Sequence, residues 1–92
     1  MQKVIAQFNV PGMHPKQYEQ VLKDLEAAGQ GSPKARLHHV SAEVPGGMYV
    51  IDIWESGEAL QEFAGTLMPI LVKNGVTPPT PDVLPAYKMI AS

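Results

Sequence analysis

Hydrophobic and polar positions along the chain repeat with two different periods, which predict strands and helices. A period of two, in which successive side chains point to opposite faces, runs through residues 3–10. Residues 35–44 are the second predicted strand, and residues 48–55 have the β-branched and aromatic content of a third. A period near 3.6 runs through residues 15–28 and 57–74, where apolar side chains recur three or four positions apart. A proline-rich stretch, 77–85, then leads to a last strand expected at about 84–91. The predicted order is strand, helix, strand, strand, helix, strand.

Punctuating residues support these boundaries. Pro15 suits the first position of a helix, because its missing N–H would have no partner there, and Gly29 suits a left-handed helix end. Ser56 is the expected N-cap of the second helix. Pro69 cannot donate to the helical ladder, so a kink or two shorter helices are expected there. Gly75 is expected to end that element.

The segment Pro45-Gly46-Gly47 predicts a tight hairpin between the second and third strands. With the two glycines as the central turn residues, Val44 pairs with Tyr49, Ser41 with Asp52, and His39 with Trp54. That register puts four residues on one face of the sheet, namely His39, Ser41, Asp52 and Trp54.

The third strand is apolar on both faces. Tyr49, Ile51 and Ile53 point one way, while Met48, Val50, Asp52 and Trp54 point the other. A strand with one face in water would alternate between hydrophobic and polar residues. We therefore expect cover on both sides. The helices of this chain supply one layer, and a second copy of the chain is the expected source of the other.

The strand and helix order is that of the ferredoxin-like βαββαβ fold, an α+β class in which two helices cover one face of a four-stranded antiparallel sheet. At 92 residues, the sequence predicts a single domain spanning residues 1–92. The uncovered face of the sheet predicts a homodimer.

Charge and composition exclude several partners and sites. Seven basic and nine acidic side chains give a net charge of −2, and no cluster of Lys and Arg offers a nucleic-acid surface. No apolar run approaches the ~18 residues of a membrane span, and the N-terminus is too polar for a signal peptide. The chain has no cysteine, which fits a reducing compartment. We expect a cytoplasmic protein that binds neither nucleic acid nor membrane.

Several short motifs resemble the antibiotic biosynthesis monooxygenase superfamily across nearly the whole chain. They are VPGM at 10–13, the strand with His39, the Gly-Gly turn, IDIWES at 51–56, MPIL at 68–71, and the proline-rich link. The resemblance implies a dimeric α+β barrel, with a pocket between each sheet and its helices. Members include cofactor-independent monooxygenases, haem-degrading enzymes, isomerases and ligand-sensing domains. The haem-degrading branch carries an iron-binding His on the second helix, where this chain has none.

His39, Asp52 and Trp54 form the best candidate for chemistry, because a His beside a carboxylate and an aromatic wall can move protons against a flat organic molecule. In this interpretation His39 and Asp52 are catalytic, Trp54 and Tyr49 shape a substrate pocket, and Asn9 binds a substrate oxygen. The alternative is that His39 and Asp52 satisfy one another in a dimer interface while Trp54 packs beside them. Tyr18 is more often a core residue than a catalytic phenol, although Tyr18 and Tyr49 could both reach a pocket between sheet and helix.

No metal and no cofactor is expected, since cysteine and the paired-His motifs are lacking and adjacent His38 and His39 point to opposite faces. Two functions remain open. One is an enzyme acting on a small apolar or aromatic molecule, as a cofactor-independent monooxygenase or an isomerase. The other is a homodimer that binds a ligand or has a structural role without turnover.

Overall fold

A computed structural model of the protein describes residues 2–90. The strands are β1 (Val4–Pro11), β2 (Arg36–Val44), β3 (Gly47–Trp54) and β4 (Asp82–Pro85), and the helices are α1 (Pro15–Ala27) and α2 (Gly57–Lys73). The four strands form one antiparallel sheet in the order β2-β3-β1-β4. This arrangement confirms the predicted ferredoxin-like α+β fold.

Both helices pack on one face of the sheet, which we call the inner face. Side chains at every second position of β1 and β3 are buried there together with apolar residues of both helices. The strand residues of this core are Val4, Ala6, Phe8, Val10, Met48, Val50 and Trp54. The helix residues are Val21, Leu25, Leu60, Phe63 and Leu71. The opposite, outer face has no covering element within residues 2–90.

Side chains at the helix starts satisfy otherwise unpaired backbone N–H groups. His14 caps α1, with Nδ1 accepting from the backbone N–H of Lys16 at 3.1 Å, and the Gln17 side chain accepts from the His14 N–H at 2.8 Å. Ser56 caps α2 through a 3.2 Å bond from the Ala59 N–H to its hydroxyl. The caps therefore fix where α1 and α2 begin, as Pro15 and Ser56 predicted.

The β2–β3 register differs from the prediction by two residues. Val44 pairs with Gly47, so the central turn residues are Pro45 and Gly46. Gly46 has φ +81°, and a proline followed by such a glycine fits a type II turn. Gly47 is needed for a different reason, since a Cβ there would collide with the carbonyl oxygen of Val10. A two-residue slip preserves the side of each residue, so the inner face keeps its predicted members.

Two further expectations are corrected. β4 begins and ends earlier than residues 84–91, and Ala91 lies outside the described residues. β4 is antiparallel to β1 and runs toward its first residue, Val4. Beyond the bond from the Ala86 N–H to the Lys3 carbonyl, almost no residues precede β1 with which a longer β4 could pair. The expectation of two shorter helices meeting near Pro69 is also wrong, because α2 continues through this residue from Gly57 to Lys73. Pro69 and Gly65 are both exposed, so water can reach the Gly65 carbonyl that has lost its usual donor.

Candidate functional site

Four side chains on the inner face form one hydrogen-bonded chain. The Tyr18 hydroxyl lies 2.6 Å from Nε2 of His39. Nδ1 of His39 lies 2.6 Å from Oδ1 of Asp52. The indole N–H of Trp54 donates to Oδ2 of Asp52 at 3.3 Å. We call this hydrogen-bonded series of side chains the Tyr–His–Asp relay, and Trp54 holds its inner end.

The fold brings these residues together from three elements. His39 on β2 and Asp52 on β3 are direct cross-strand partners, because the turn at Pro45-Gly46 sets that register. Tyr18 comes from the first turn of α1, and its ring lies nearly parallel to the imidazole, with centroids 6.1 Å apart and planes 6° apart. The start of α1, fixed by its cap at His14, therefore determines where the phenol reaches the sheet.

The donors and acceptors of the relay can be assigned from the residue types. The Trp54 indole only donates, and an Asp52 carboxylate accepts at both oxygens. Asp52 therefore takes the Nδ1–H of His39 at Oδ1. In the neutral tautomer of the imidazole that carries this proton, Nε2 is the acceptor for the Tyr18 O–H. Proton transfer from Tyr18 to His39 would put the positive charge next to the Asp52 carboxylate.

Burial differs along the relay. The side chain of Asp52 is 4% exposed and that of His39 is 23% exposed. Trp54 is 1% exposed and packs on Phe63, with ring centroids 5.0 Å apart. The carboxylate end is therefore fixed in the core, whereas the imidazole and phenol lie nearer to open space.

That open space is a cavity of about 60 Å³ between the sheet and the two helices. Its accessible wall is almost entirely apolar, so Tyr18, Arg36, His39 and Asp52, which are among its lining residues, face it through carbon atoms. The apolar lining residues include Phe8, Val10, Met13, Phe63, Leu67 and Leu71. At roughly 10–15 Å³ per water, the cavity has room for about four to six waters.

The structure brings together only some of the residues that the sequence predicted as a site. His39 and Asp52 line the cavity, and Trp54 lies behind them with its indole N–H on Asp52. Asn9 and Tyr49 are direct partners on the outer face of the sheet. They therefore do not share a pocket with His39, and the expected grouping of all five residues is corrected on this point.

Two cavity residues were not predicted as part of the site. For Tyr18 the sequence favours a core position on α1 and leaves a place in the pocket open. A phenol on a buried stripe needs a hydrogen-bond partner, and this need points to the pocket. Arg36 had no signal, because its side depends on an irregularity in β2 that the sequence pattern does not indicate. Across residues 2–90, no group of three or more His, Cys, Asp or Glu is placed to hold a metal.

No protein-family model and no curated protein matches the sequence. Solved structures do share the fold. A protein from Caulobacter crescentus CB15, named as a candidate antibiotic biosynthesis monooxygenase, superposes with a TM-score of 0.62 at 21% identity, over 95% of this chain and 90% of its own. SnoaB, a cofactor-independent oxygenase from Streptomyces nogalater, superposes with a TM-score of 0.60 at 15% identity, over 99% and 97% of the two chains.

Rv0793 from Mycobacterium tuberculosis has a TM-score of 0.57 and 21% identity over 98% of both chains. At these identities the likeness establishes a common fold, and it confirms the fold that the sequence motifs implied. In the part of the chain that the structure describes, no helix is both long and apolar enough to cross a membrane.

Proposed function

We propose that the protein is a homodimeric enzyme that removes a proton from a small, apolar ring compound held in the cavity, and that it acts as a cofactor-independent oxygenase. The observation that carries this proposal is the Tyr–His–Asp relay, whose three residues lie along the wall of an apolar cavity. A buried carboxylate, an imidazole and a phenol in sequence form a path for a proton. The fold shared with SnoaB adds the oxygenase reaction as the candidate use of that path.

In the proposed proton step, the substrate C–H gives its proton to the Tyr18 oxygen while the Tyr18 proton moves to Nε2 of His39. The bond of 2.6 Å between the phenol and Nε2 is short enough for that transfer. Asp52 holds the imidazole in the required tautomer and stabilises the imidazolium that forms. Trp54 keeps the carboxylate in place through its second oxygen.

The oxygen step needs no external reductant if the substrate carries an activated CH₂ group. The carbanion transfers one electron to O₂, and the two radicals combine into a peroxide that takes back the proton. The hydroperoxide then loses water to give a ketone. One oxygen atom enters the product and the other leaves as water, so the CH₂ group supplies all four electrons.

Indan-2-one is a suitable probe, since it is flat, uncharged and carries CH₂ groups activated by both an aryl ring and a carbonyl. Deuterium exchange at these positions, followed by NMR in D₂O, reports the proton step alone, and oxygen uptake reports the complete reaction. We expect both in the wild-type protein, and a loss of at least 100-fold in both for His39→Gln. Tyr49→Phe is the matched control, since Tyr49 lies on the outer face and should leave both rates unchanged.

These two readouts separate the candidate reactions. Exchange without oxygen uptake would reject the oxygenase and favour an isomerase, which uses the same proton step. Exchange no faster than in His39→Gln would reject proton transfer by the relay with this probe.

One observation favours a second candidate, a protein that binds a ligand without turnover. No buried side-chain nitrogen or oxygen within residues 2–90 lacks a hydrogen-bond partner, so the relay is also complete as a structural network. This candidate predicts that indan-2-one binds while neither exchange nor oxygen uptake exceeds that of His39→Gln. The cavity is the same in both proposals.

The homodimer is proposed from the outer face. Its exposed and half-exposed apolar residues lie side by side on all four strands, and water contact with such a surface is unfavourable. They are Ile5, Val40, Tyr49, Ile51, Ile53 and Leu84. Two such faces packed together would provide the second layer that the apolar pattern of β3 requires.

A further inference from the structure

A second apolar space, which we call the groove, lies next to the cavity along α2. It has a volume of about 400 Å³ and is lined by α2 on one side and by Thr80, Pro81 and Val83 on the other. β4 pairs with β1 only over Val4–Gln7, so in the described part of the chain no strand lies beside the rest of that edge. Phe8, the next residue of β1, therefore borders an open space.

Helix α2 separates the groove from the cavity with two neighbouring stripes of side chains. Residues four apart on a helix lie on the same face. The members of each stripe are four positions apart, namely Phe63, Leu67 and Leu71 on the cavity side and Leu60, Ala64 and Met68 on the groove side. Phe8, Phe63 and Leu67 line both spaces. The cavity and the groove therefore share a wall of three apolar side chains.

Leu67 is the part of this wall that packing holds least. Phe8 and Phe63 are both buried, and the Phe63 ring packs on Trp54 with centroids 5.0 Å apart. Leu67 is only half-buried, so other staggered rotamers are within its reach. Rotation of this one side chain would join the two spaces. The opening would be about as wide as an aliphatic side chain, which suits a hydrocarbon chain better than a fused ring.

We propose that the cavity and the groove form one binding site for a ring compound that carries an unbranched apolar chain, with Leu67 as the gate between them. The ring lies in the cavity beside the relay, and the chain passes Leu67 into the groove. The chain carries no charge, because the groove has no charged lining residue to pair with one. The inference rests on the proposed function only for the position of the ring.

Acetophenone and hexanophenone test the groove, because they share a ring and a carbonyl and differ by four CH₂ groups. Burial of each CH₂ group should strengthen binding about 3–4-fold. We expect isothermal titration calorimetry to show that the wild-type protein binds hexanophenone at least 30-fold more tightly than acetophenone. 2-Acetonaphthone has the same number of carbons as hexanophenone but holds them in a fused ring, so it should bind more weakly than hexanophenone.

Ala64→Phe tests where the chain lies, because it places a large side chain in the groove at a residue that does not line the cavity. It should weaken hexanophenone at least 10-fold and change acetophenone less than 2-fold. Ala27→Phe is the matched control, since Ala27 is an exposed residue of α1 that lines neither space. This control should leave the binding of both ligands unchanged.

Leu67→Ala tests the gate. It shortens the half-buried part of the shared wall, so hexanophenone should associate at least 5-fold faster than with the wild type. Stopped-flow fluorescence of Trp54, the only tryptophan of the chain, follows this because its ring packs on Phe63 in the shared wall. An unchanged association rate would reject Leu67 as the gate.

Equal binding of acetophenone and hexanophenone by the wild type would overturn the inference, even if Ala64→Phe failed to fold. Unchanged hexanophenone binding in Ala64→Phe, or an equal loss in Ala27→Phe, would also overturn it, because the chain would then bind elsewhere. Tighter binding of 2-acetonaphthone than of hexanophenone would reject the unbranched chain. Dissociation of a homodimer by Ala64→Phe in sedimentation equilibrium would assign the groove to a second copy of the chain instead.

The two proposals fail separately. Tight binding of hexanophenone without deuterium exchange in indan-2-one would retain the two-part site and reject the enzyme. Exchange that depends on His39, with hexanophenone and acetophenone bound alike, would retain the proton relay and reject the groove.

Discussion

The two faces of the sheet have similar hydrophobic content but opposite surroundings. On the inner face, alternate residues of β1 and β3 are buried beneath α1 and α2, and Trp54 is 1% exposed. On the outer face, the other residues of the same strands are partly exposed, and Val40 on β2 is 62% exposed. The polar residues differ too. The inner face has a fully paired relay, and the outer face has Gln7 and Asn9.

This contrast shows that a strand with two apolar faces must be covered on both sides, but its sequence does not say which part of the chain or which partner covers each side. The helices satisfy that need once, since both pack on the same face. It also shows why polar groups are tolerated in the core. Asp52 lies among apolar residues, and its burial is compensated because both of its oxygens accept hydrogen bonds.

The largest effect is expected from Trp54→Ala on the inner face. The change removes the most deeply buried large side chain, its contact with Phe63 and its bond to Asp52. We expect a loss of about 3–5 kcal/mol in the free energy of unfolding, measured by urea denaturation.

Val72→Ala is the control for that measurement, because Val72 is an exposed hydrophobic residue of α2 and should change stability by less than about 0.5 kcal/mol. A loss below about 1 kcal/mol in Trp54→Ala would mean that the indole is not a fixed part of the core.

The next effect concerns the outer face and distinguishes a covered surface from an open one. Val40→Asp would bury an unpaired charge if two outer faces meet, so we expect the dimer to dissociate at least 100-fold more readily, or about 2.7 kcal/mol. Sedimentation equilibrium at micromolar concentrations measures this. Val72→Asp is the matched control, because Val72 has the same 62% exposure as Val40 but lies on the helical side. A wild-type protein that sediments as a stable monomer would contradict the dimer.

A smaller effect is expected from removing one hydroxyl on each face. Tyr18→Phe deletes the bond to His39 while keeping the ring, and should cost about 0.5–1.5 kcal/mol of unfolding free energy. Tyr49→Phe should cost less than about 0.5 kcal/mol, because within residues 2–90 no hydrogen bond to its hydroxyl is recorded. Equal costs for both would mean that the relay adds nothing to stability beyond its packing.

The order and type of the elements could be predicted from the sequence because local periodicity and caps determine them. The β-branched and aromatic residues of β3, Pro15 and Ser56 each report a local preference that the structure retains. The hairpin register could not be predicted from the glycine pair alone. Pro45 supplies the fixed φ of the first turn position, so the turn begins one residue earlier than Gly46-Gly47 would place it. The extent of β4 depends on how much of β1 is left to pair.

Only part of the candidate site could be predicted, and the reason is geometric. His39 and Asp52 share a face through strand alternation, which the sequence shows. Tyr18 reaches them from another element, and Arg36 joins them through a bulge, so both depend on tertiary structure. Asn9 and Tyr49 were grouped with them by chemical type, although alternation along β3 already separates Tyr49 from Asp52.

The smallest effect tests the helical layer that covers the inner face. Asp24 on α1 accepts hydrogen bonds from Asn74 at 2.9 Å and Gln20 at 3.0 Å, with Lys73 at 3.5 Å. The Asn74 bond, then Gln20 and Lys73, hold the pKa of the Asp24 carboxyl below its ordinary value of 3.8. Because the folded-state pKa is lowered, the stabilisation is complete above about pH 4 and is lost as the pH falls through the folded-state value.

Asp24→Asn should therefore be less stable than the wild type at pH 6, with a difference that shrinks as the pH falls toward 2. Urea denaturation of both proteins at several pH values measures it. The effect should be small, since the contact links the exposed end of α1 to the C-cap of α2 and water screens it. A difference that stays constant from pH 6 to pH 2 would mean that the charge of Asp24 does not contribute. The link between the two helices would then rest on apolar packing and on uncharged hydrogen bonds, such as the one from the Gln17 side chain to the Asn74 carbonyl at 3.0 Å.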